Sequence, residues 1–130
     1  MIYLDSSVAL AQIQAESRRP SPGFWDNELV ASRLLQYETW TRLHAAGRGQ
    51  SHGEAARILL AGIMFIELTP EILEPLVEGF RLPLKTLDAI HLATLRWLDE
   101  QQTRVQLATY DEKLASTARR LGFELHPVSG

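Results

Sequence analysis

The sequence predicts an α/β domain with a mainly parallel sheet. Three observations carry that prediction. Short apolar runs alternate with segments of helical spacing along the whole chain. The length of 130 residues suits one core, and 45% hydrophobic residues are enough to fill it. No internal repeat or low-complexity stretch divides the chain, so one domain over 1–130 is expected.

The elements follow in order. Ile2–Leu4 is a short apolar strand that ends on Asp5. Ser6 or Ser7 is placed to cap a helix through VALAQIQAE. RRPSPGFWDN, with two Pro and one Gly, breaks that pattern and reads as a loop. Glu28–Ala31 is a second strand, with Ser32 as the next cap. RLLQYETWTRLHAAG has helical spacing and stops near Gly47; a loop and a third helix follow in RGQSHGEAARILLAG. IMFIEL, Ile63–Leu68, is a third strand, and Pro70 sits where a helix start favours it. The short helix PEILEPLVEGF is expected to kink at Pro75. After the loop RLPLK the longest helix runs from Thr86 to about Gln102. Val105–Thr109 is a strand, Asp111–Leu121 a helix closed by Gly122, and Glu124–His126 a last strand before Pro127.

Composition removes several function classes. The formal net charge is −3, which gives no global pull toward nucleic acid or anionic lipid. There is no Cys, hence no disulfide, no Cys-based zinc site and no thiol nucleophile. The run ILLAGIMFI is far shorter than the ~20 residues that span a bilayer. The opening MIYLD has an acid where a secretory signal would be basic and then apolar. A cytoplasmic protein with no membrane association is the expectation.

Four acids then stand out. In a parallel sheet, functional groups gather beyond the carboxyl ends of the strands. Asp5 follows the first strand directly, and Asp111 follows VQLAT after one residue, Tyr110. Glu38 lies mid-helix with Leu34 and Leu35 one turn before it, on the inward side. Asp88 sits in the first turn of TLDAIHLATL, with Leu87, His91, Leu92 and Leu95 at helical spacings around it. Each acid except Glu38 has an ordinary structural role available. Asp5 and Asp111 can cap helices, and Asp88 can favour a helix N-terminus by ~0.3–1 kcal/mol. Together they point to one shared pocket. Two carboxylates ~4 Å apart repel by about 4 kcal/mol at an effective dielectric near 20, so such a pocket calls for protons or a cation. Oxygen donors without Cys select a hard ion, Mg²⁺ or Mn²⁺. The chemistry that follows is metal-assisted hydrolysis of a phosphodiester.

The segments MIYLDSS, LVASRLLQYETWTRL, LKTLDAIHLATL and LATYDEKLASTARRLGFELHPV together resemble the PIN-domain family, and within it the VapC-type toxins of toxin–antitoxin pairs. The resemblance implies a three-layer α/β/α fold with strand order 3-2-1-4-5. It implies a Mg²⁺- or Mn²⁺-dependent endoribonuclease whose acidic quartet is Asp5, Glu38, Asp88 and Asp111. It gives Ser6 and Thr109 an auxiliary role, orienting a ligand or water beside the acids. It also implies a homodimer and a VapB-type antitoxin partner. The loop-like segment Glu16–Asn27 departs from relatives that look more helical there.

Among other residues, Arg33 and Arg42 are candidates to flank an RNA path, and His91 is expected to pack near the site as a helix histidine. His44, His52 and His126 lack zinc spacing and receive no role. Three other functions are weighed: a receiver-like signalling domain, for which no phosphorylatable Asp follows IMFIEL; a catalytically inactive PIN-like binding module; and a structure-specific DNA nuclease.

Overall fold

The computed structural model describes residues 1–130. Four strands, β1 (Ile2–Leu4), β2 (Leu29–Ser32), β3 (Ile63–Ile66) and β4 (Gln106–Ala108), form one parallel sheet in the order β3-β2-β1-β4. Six helices connect them: α1 (Ser6–Ile13), α2 (Leu34–Ala45), α3 (Gly53–Ala61), α4 (Pro70–Leu73), α5 (Thr86–Glu100) and α6 (Glu112–Arg120). No helix is long and apolar enough to cross a membrane.

The layers follow from the period of two along each strand. Ile2 and Leu4 of β1, Leu29 and Ala31 of β2, and Ala108 of β4 face a core shared with Val8, Leu35 and Leu60 of α1, α2 and α3. Tyr3, Val30 and Leu107, the alternate residues, face a second core shared with Leu92, Leu95 and Leu98 of α5 and Leu114 of α6. The central strands are apolar on both faces because helices cover both, as a parallel sheet requires.

Several expectations are corrected. The fifth strand shrinks to a single parallel bridge, Leu107 to Leu125, with Leu107 N–H donating to Glu124 O (2.9 Å) and His126 N–H donating to Leu107 O (2.8 Å). It lies beside β4 as the order 3-2-1-4-5 places it. It stops because Pro127 has no N–H and opens a 3₁₀ turn, Pro127–Ser129. Asp5, not Ser6 or Ser7, is the N-cap of α1. Of the leucines around Asp88, Leu92 and Leu95 are buried, whereas Leu87 is 47% exposed. The kink at Pro75 is present: α4 gives way there to a 3₁₀ turn, Glu74–Val77.

Candidate active site

Sheet order decides which acids meet. β1 and β4 are neighbours, so the residues just past their ends, Asp5 and Thr109–Asp111, lie side by side. The hydroxyl of Thr109 is completely buried and donates to Asp5 Oδ2 (2.8 Å). The same oxygen receives the Ser7 hydroxyl (2.5 Å) and the Ser7 N–H (3.4 Å). Thr109 Oγ1 in turn accepts from the Asp111 N–H (3.0 Å), and Ser7 Oγ accepts from the Tyr110 N–H (2.9 Å). Two strand ends are thus stitched together through one carboxylate oxygen and two hydroxyls.

Ser7, which nothing in the sequence singles out as a site residue, fills the place expected of Ser6. Ser6 is buried, and its hydroxyl makes no hydrogen bond to any of the acids. A Ser-Ser pair at a helix start does not reveal which hydroxyl turns back toward the cap. Replacing Thr109 with Val keeps the shape and removes the hydroxyl. A loss of about 1.5–3 kcal/mol in chemical denaturation is expected, the range for a bond to a charged group.

Glu38 reaches the site from α2. Its Oε1 is 2.6 Å from His91 Nε2, and His91 Nδ1 is 2.7 Å from the Tyr3 hydroxyl. The Tyr3 oxygen also accepts from the Ser32 N–H (3.2 Å). The Glu38 carboxylate, which only accepts, fixes the direction of the chain for a neutral ring: Nε2–H donates to Glu38, which leaves Nδ1 to accept from the Tyr3 O–H. Tyr3 and His91 are essentially inaccessible, and burial pushes the phenol far above its ordinary range. His91 is therefore the packed helix histidine expected, and its role is specific. It connects α5 to α2 and points Glu38.

Burial pulls the His91 imidazole down, but the hydrogen bond and charge of Glu38, with Asp5 and Asp88 behind it, outweigh that and raise it overall. A raised imidazole contributes stability that is complete below the ordinary value of 6.5 and is lost as pH rises through the raised one. In His91→Gln the slope of stability against pH just above neutrality should flatten. Urea midpoints between about pH 6 and 9 in chelator would check this; an unchanged slope would exclude the coupling.

Asp88 discriminates between the two readings of its position. A helix N-terminus alone would hold a carboxyl below its ordinary range. Asp88 is instead raised, by burial first and then by the charges of Asp111, Asp5 and Glu38, with only His91 opposing. The neighbouring acids and burial outweigh the helix terminus. Asp111 satisfies both readings: its Oδ1 accepts from the Leu114 N–H (3.0 Å) as the N-cap of α6, and its charge reaches Asp88.

As the side chains stand, no three acid or imidazole groups are gathered tightly enough to make a ready-formed ion site. The donor set nonetheless fits a hard divalent ion. Asp5 Oδ1, Glu38 Oε2, Asp111 Oδ2 and both oxygens of Asp88 take no hydrogen bond from the chain. All are carboxylate oxygens, the ligands such ions prefer.

The two candidate arginines differ. Arg33 is committed to Glu67, with Nη2 2.6 Å from Oε2, also bonds Gln36, and lies over the Phe65 ring. Arg42 lines an open cleft of about 430 Å³ with Ser7, Gln14, Ser17, Arg18 and Tyr110. Arg18 stacks over the Tyr110 ring, 4.4 Å from its centroid. This cleft starts at Ser7 and Tyr110, the outer members of the Asp5 network, and its far wall is the start of the segment Glu16–Asn27 that departs from relatives.

The fold and the acidic strand ends define a PIN domain. The PIN-domain family model matches residues 2–124, and the chain belongs to that family. Among its relatives are ribonuclease VapC46 of Mycobacterium tuberculosis (strain H37Rv), 34% identical with 93% of this chain and 92% of that protein covered, and ribonuclease VapC47 of Mycobacterium tuberculosis (strain CDC 1551), 29% identical over 95% and 93%. The crystal structure of Mycobacterium tuberculosis VapC20, a sarcin–ricin-loop-cleaving toxin, superposes with a TM-score of 0.68, covering 98% of this chain and 100% of that one. At 20% identity it supports the fold.

Proposed function

We infer that this chain is a VapC-type endoribonuclease, the toxin of a toxin–antitoxin pair, built as a single PIN domain over 1–130. The observation that carries the reading is the network through Thr109 that brings Asp5 and Asp111 side by side at the carboxyl edge of the sheet, with Asp88 feeling the charges of both and of Glu38. Family membership and the two VapC ribonucleases that match nearly end to end support it.

The four acids would hold Mg²⁺ or Mn²⁺. When bound, such an ion supplies an activated water and neutralises charge on the leaving oxygen. The chain's own residues prepare for that. Thr109 and Ser7 hold one oxygen of Asp5, so its other oxygen is left for the cluster. The Tyr3–His91 pair fixes Glu38 in the same way. Burial and the neighbouring acids disfavour Asp88 as an anion, so it gains from a cation. Arg42 is placed to take a phosphate beyond the cluster, whereas Arg33 first has to leave Glu67.

The test is cleavage of RNA by purified protein with Mg²⁺ or Mn²⁺, set against chelator and against single-stranded DNA. Cleavage in chelator would overturn the metal assignment. Cleavage of DNA alone would favour a DNA nuclease, and no divalent-ion binding by calorimetry would favour an inactive binding module. The toxin assignment, the homodimer and the VapB-type partner rest on family resemblance, and the cytoplasmic location is proposed on the sequence expectation alone. Growth arrest on expression, relieved by a small protein encoded beside this gene, is the expected outcome.

A further inference from the structure

The chain has two lysines, Lys85 and Lys113, and both line the same cleft. Lys85 is the residue before α5, and Lys113 is in the first turn of α6. The cleft holds about 300 Å³, and its other walls include Leu84, Leu114, Thr117 and Asp88. Asp88 is its only acid, and Asp88 is also a member of the catalytic cluster. The cleft therefore adjoins that cluster at Asp88 and shares no residue with the cleft that starts at Ser7 and Tyr110.

Neither lysine is in an ion pair. The ion pairs of the chain lie elsewhere, at Arg33–Glu67, His91–Glu38 and Arg104–Glu124. Two separate helices bring the two ammonium groups to one place, where no carboxylate is paired with them. The setting makes that placement informative. The protein carries a net charge of −3 and concentrates acids where a polyanion has to be cut. A strand can approach only if local cations offset that repulsion. With Arg33 held by Glu67, the cations free to do so beside the cluster are Arg42 and Arg18 in one cleft and the lysines in the other.

Resting on the nuclease reading above, we propose that Lys85 and Lys113 form a phosphate subsite beside Asp88 that holds a phosphodiester of the RNA strand next to the one that is cut. The strand then crosses the four acids from the lysine cleft to the Arg18–Tyr110–Arg42 cleft. Lysine binds phosphate as a point charge and reads no base edge, so the subsite fixes strand position rather than sequence.

The test pairs Lys85→Ala/Lys113→Ala with Lys85→Arg/Lys113→Arg. Binding of single-stranded RNA is measured in chelator over a salt series, and cleavage is measured with Mn²⁺. The alanine pair should lower the slope of log affinity against log salt by about 0.7 for each phosphate no longer neutralised. KM should rise several-fold with a much smaller change in kcat, and the arginine pair should restore both. Oligonucleotides shortened stepwise from each end locate the phosphate: once it is removed, wild type and the alanine pair should bind equally. An unchanged slope and KM in the alanine pair would overturn the proposal. Because binding is read without cleavage, the slope decides the subsite even if wild type fails to cut RNA. That failure would count against the nuclease reading alone.

Discussion

Asp88→Asn should lose RNA cleavage and gain stability. Cleavage is expected to fall by at least about 10²-fold, more than the roughly 10–100-fold that follows loss of a group that only supports a metal ligand. The stability gain follows from the direction in which Asp88 is displaced. Its carboxyl is raised by burial and by Asp111, Asp5 and Glu38, so near neutrality the folded state holds a charge it disfavours. Asparagine has nearly the same shape and no charge, and Asp88 accepts no hydrogen bond from the chain that the change would break. The melting temperature in chelator should therefore rise at pH 7. The gain should shrink as pH falls, because the native carboxyl takes up its proton at a higher pH than the unfolded one. A variant that is inactive and less stable at pH 7 would show that Asp88 is a structural acid and not a member of a strained cluster.

Tyr3→Phe is the largest stability loss expected from the removal of one atom. The phenol oxygen accepts from the Ser32 N–H and meets His91 Nδ1, and all three residues are buried. Phenylalanine leaves both partners unsatisfied, at about 1–3 kcal/mol for each. Chemical denaturation should show a loss of about 2–6 kcal/mol, a large share of the ~5–15 kcal/mol typical of a domain. Cleavage should fall as well, since His91 no longer has a fixed ring orientation from which to hold Glu38. Adding His91→Phe should recover part of the stability, because an apolar pair is easier to bury than one unpartnered polar group, but none of the activity. A loss below about 0.5 kcal/mol, the lower bound for a typical hydrogen bond, would mean that the two partners find other bonds.

Much of the site is legible in the sequence because its signals are local. Asp5 and Asp111 are placed by the strands that precede them, and Asp88 and Glu38 by helical spacing against leucines. Strand ends move by a residue or so, as for β2, which runs to Ser32. What stays hidden depends on pairings between distant segments. Nothing near Tyr3 marks it as a partner of His91, 88 positions away, and nothing near Arg33 marks Glu67 as its counter-ion. Both pairings need the sheet order before they can be seen. The exchange of Ser6 for Ser7 is of another kind: adjacent serines are chemically alike, and only the turn of the chain into α1 sends Ser7 back to Asp5. The lysine cleft is also out of reach, since Lys85 and Lys113 become neighbours only when α5 and α6 pack on the same face of the sheet.

The four acids are not equally free to change over evolutionary time. Asp5 and Asp111 each begin a helix as well as carry charge, whereas Asp88 and Glu38 cap nothing. Helix caps accept asparagine or serine about as readily as aspartate, while alanine costs about 0.5–2 kcal/mol. A lineage of this protein that abandoned cleavage could let position 88 drift to almost any residue of suitable size, while position 38 would still have to partner the buried His91. At positions 5 and 111 it would be confined to small polar side chains. The record of a lost activity would survive there as asparagine or serine, two fossils of the active site kept by the helices they start.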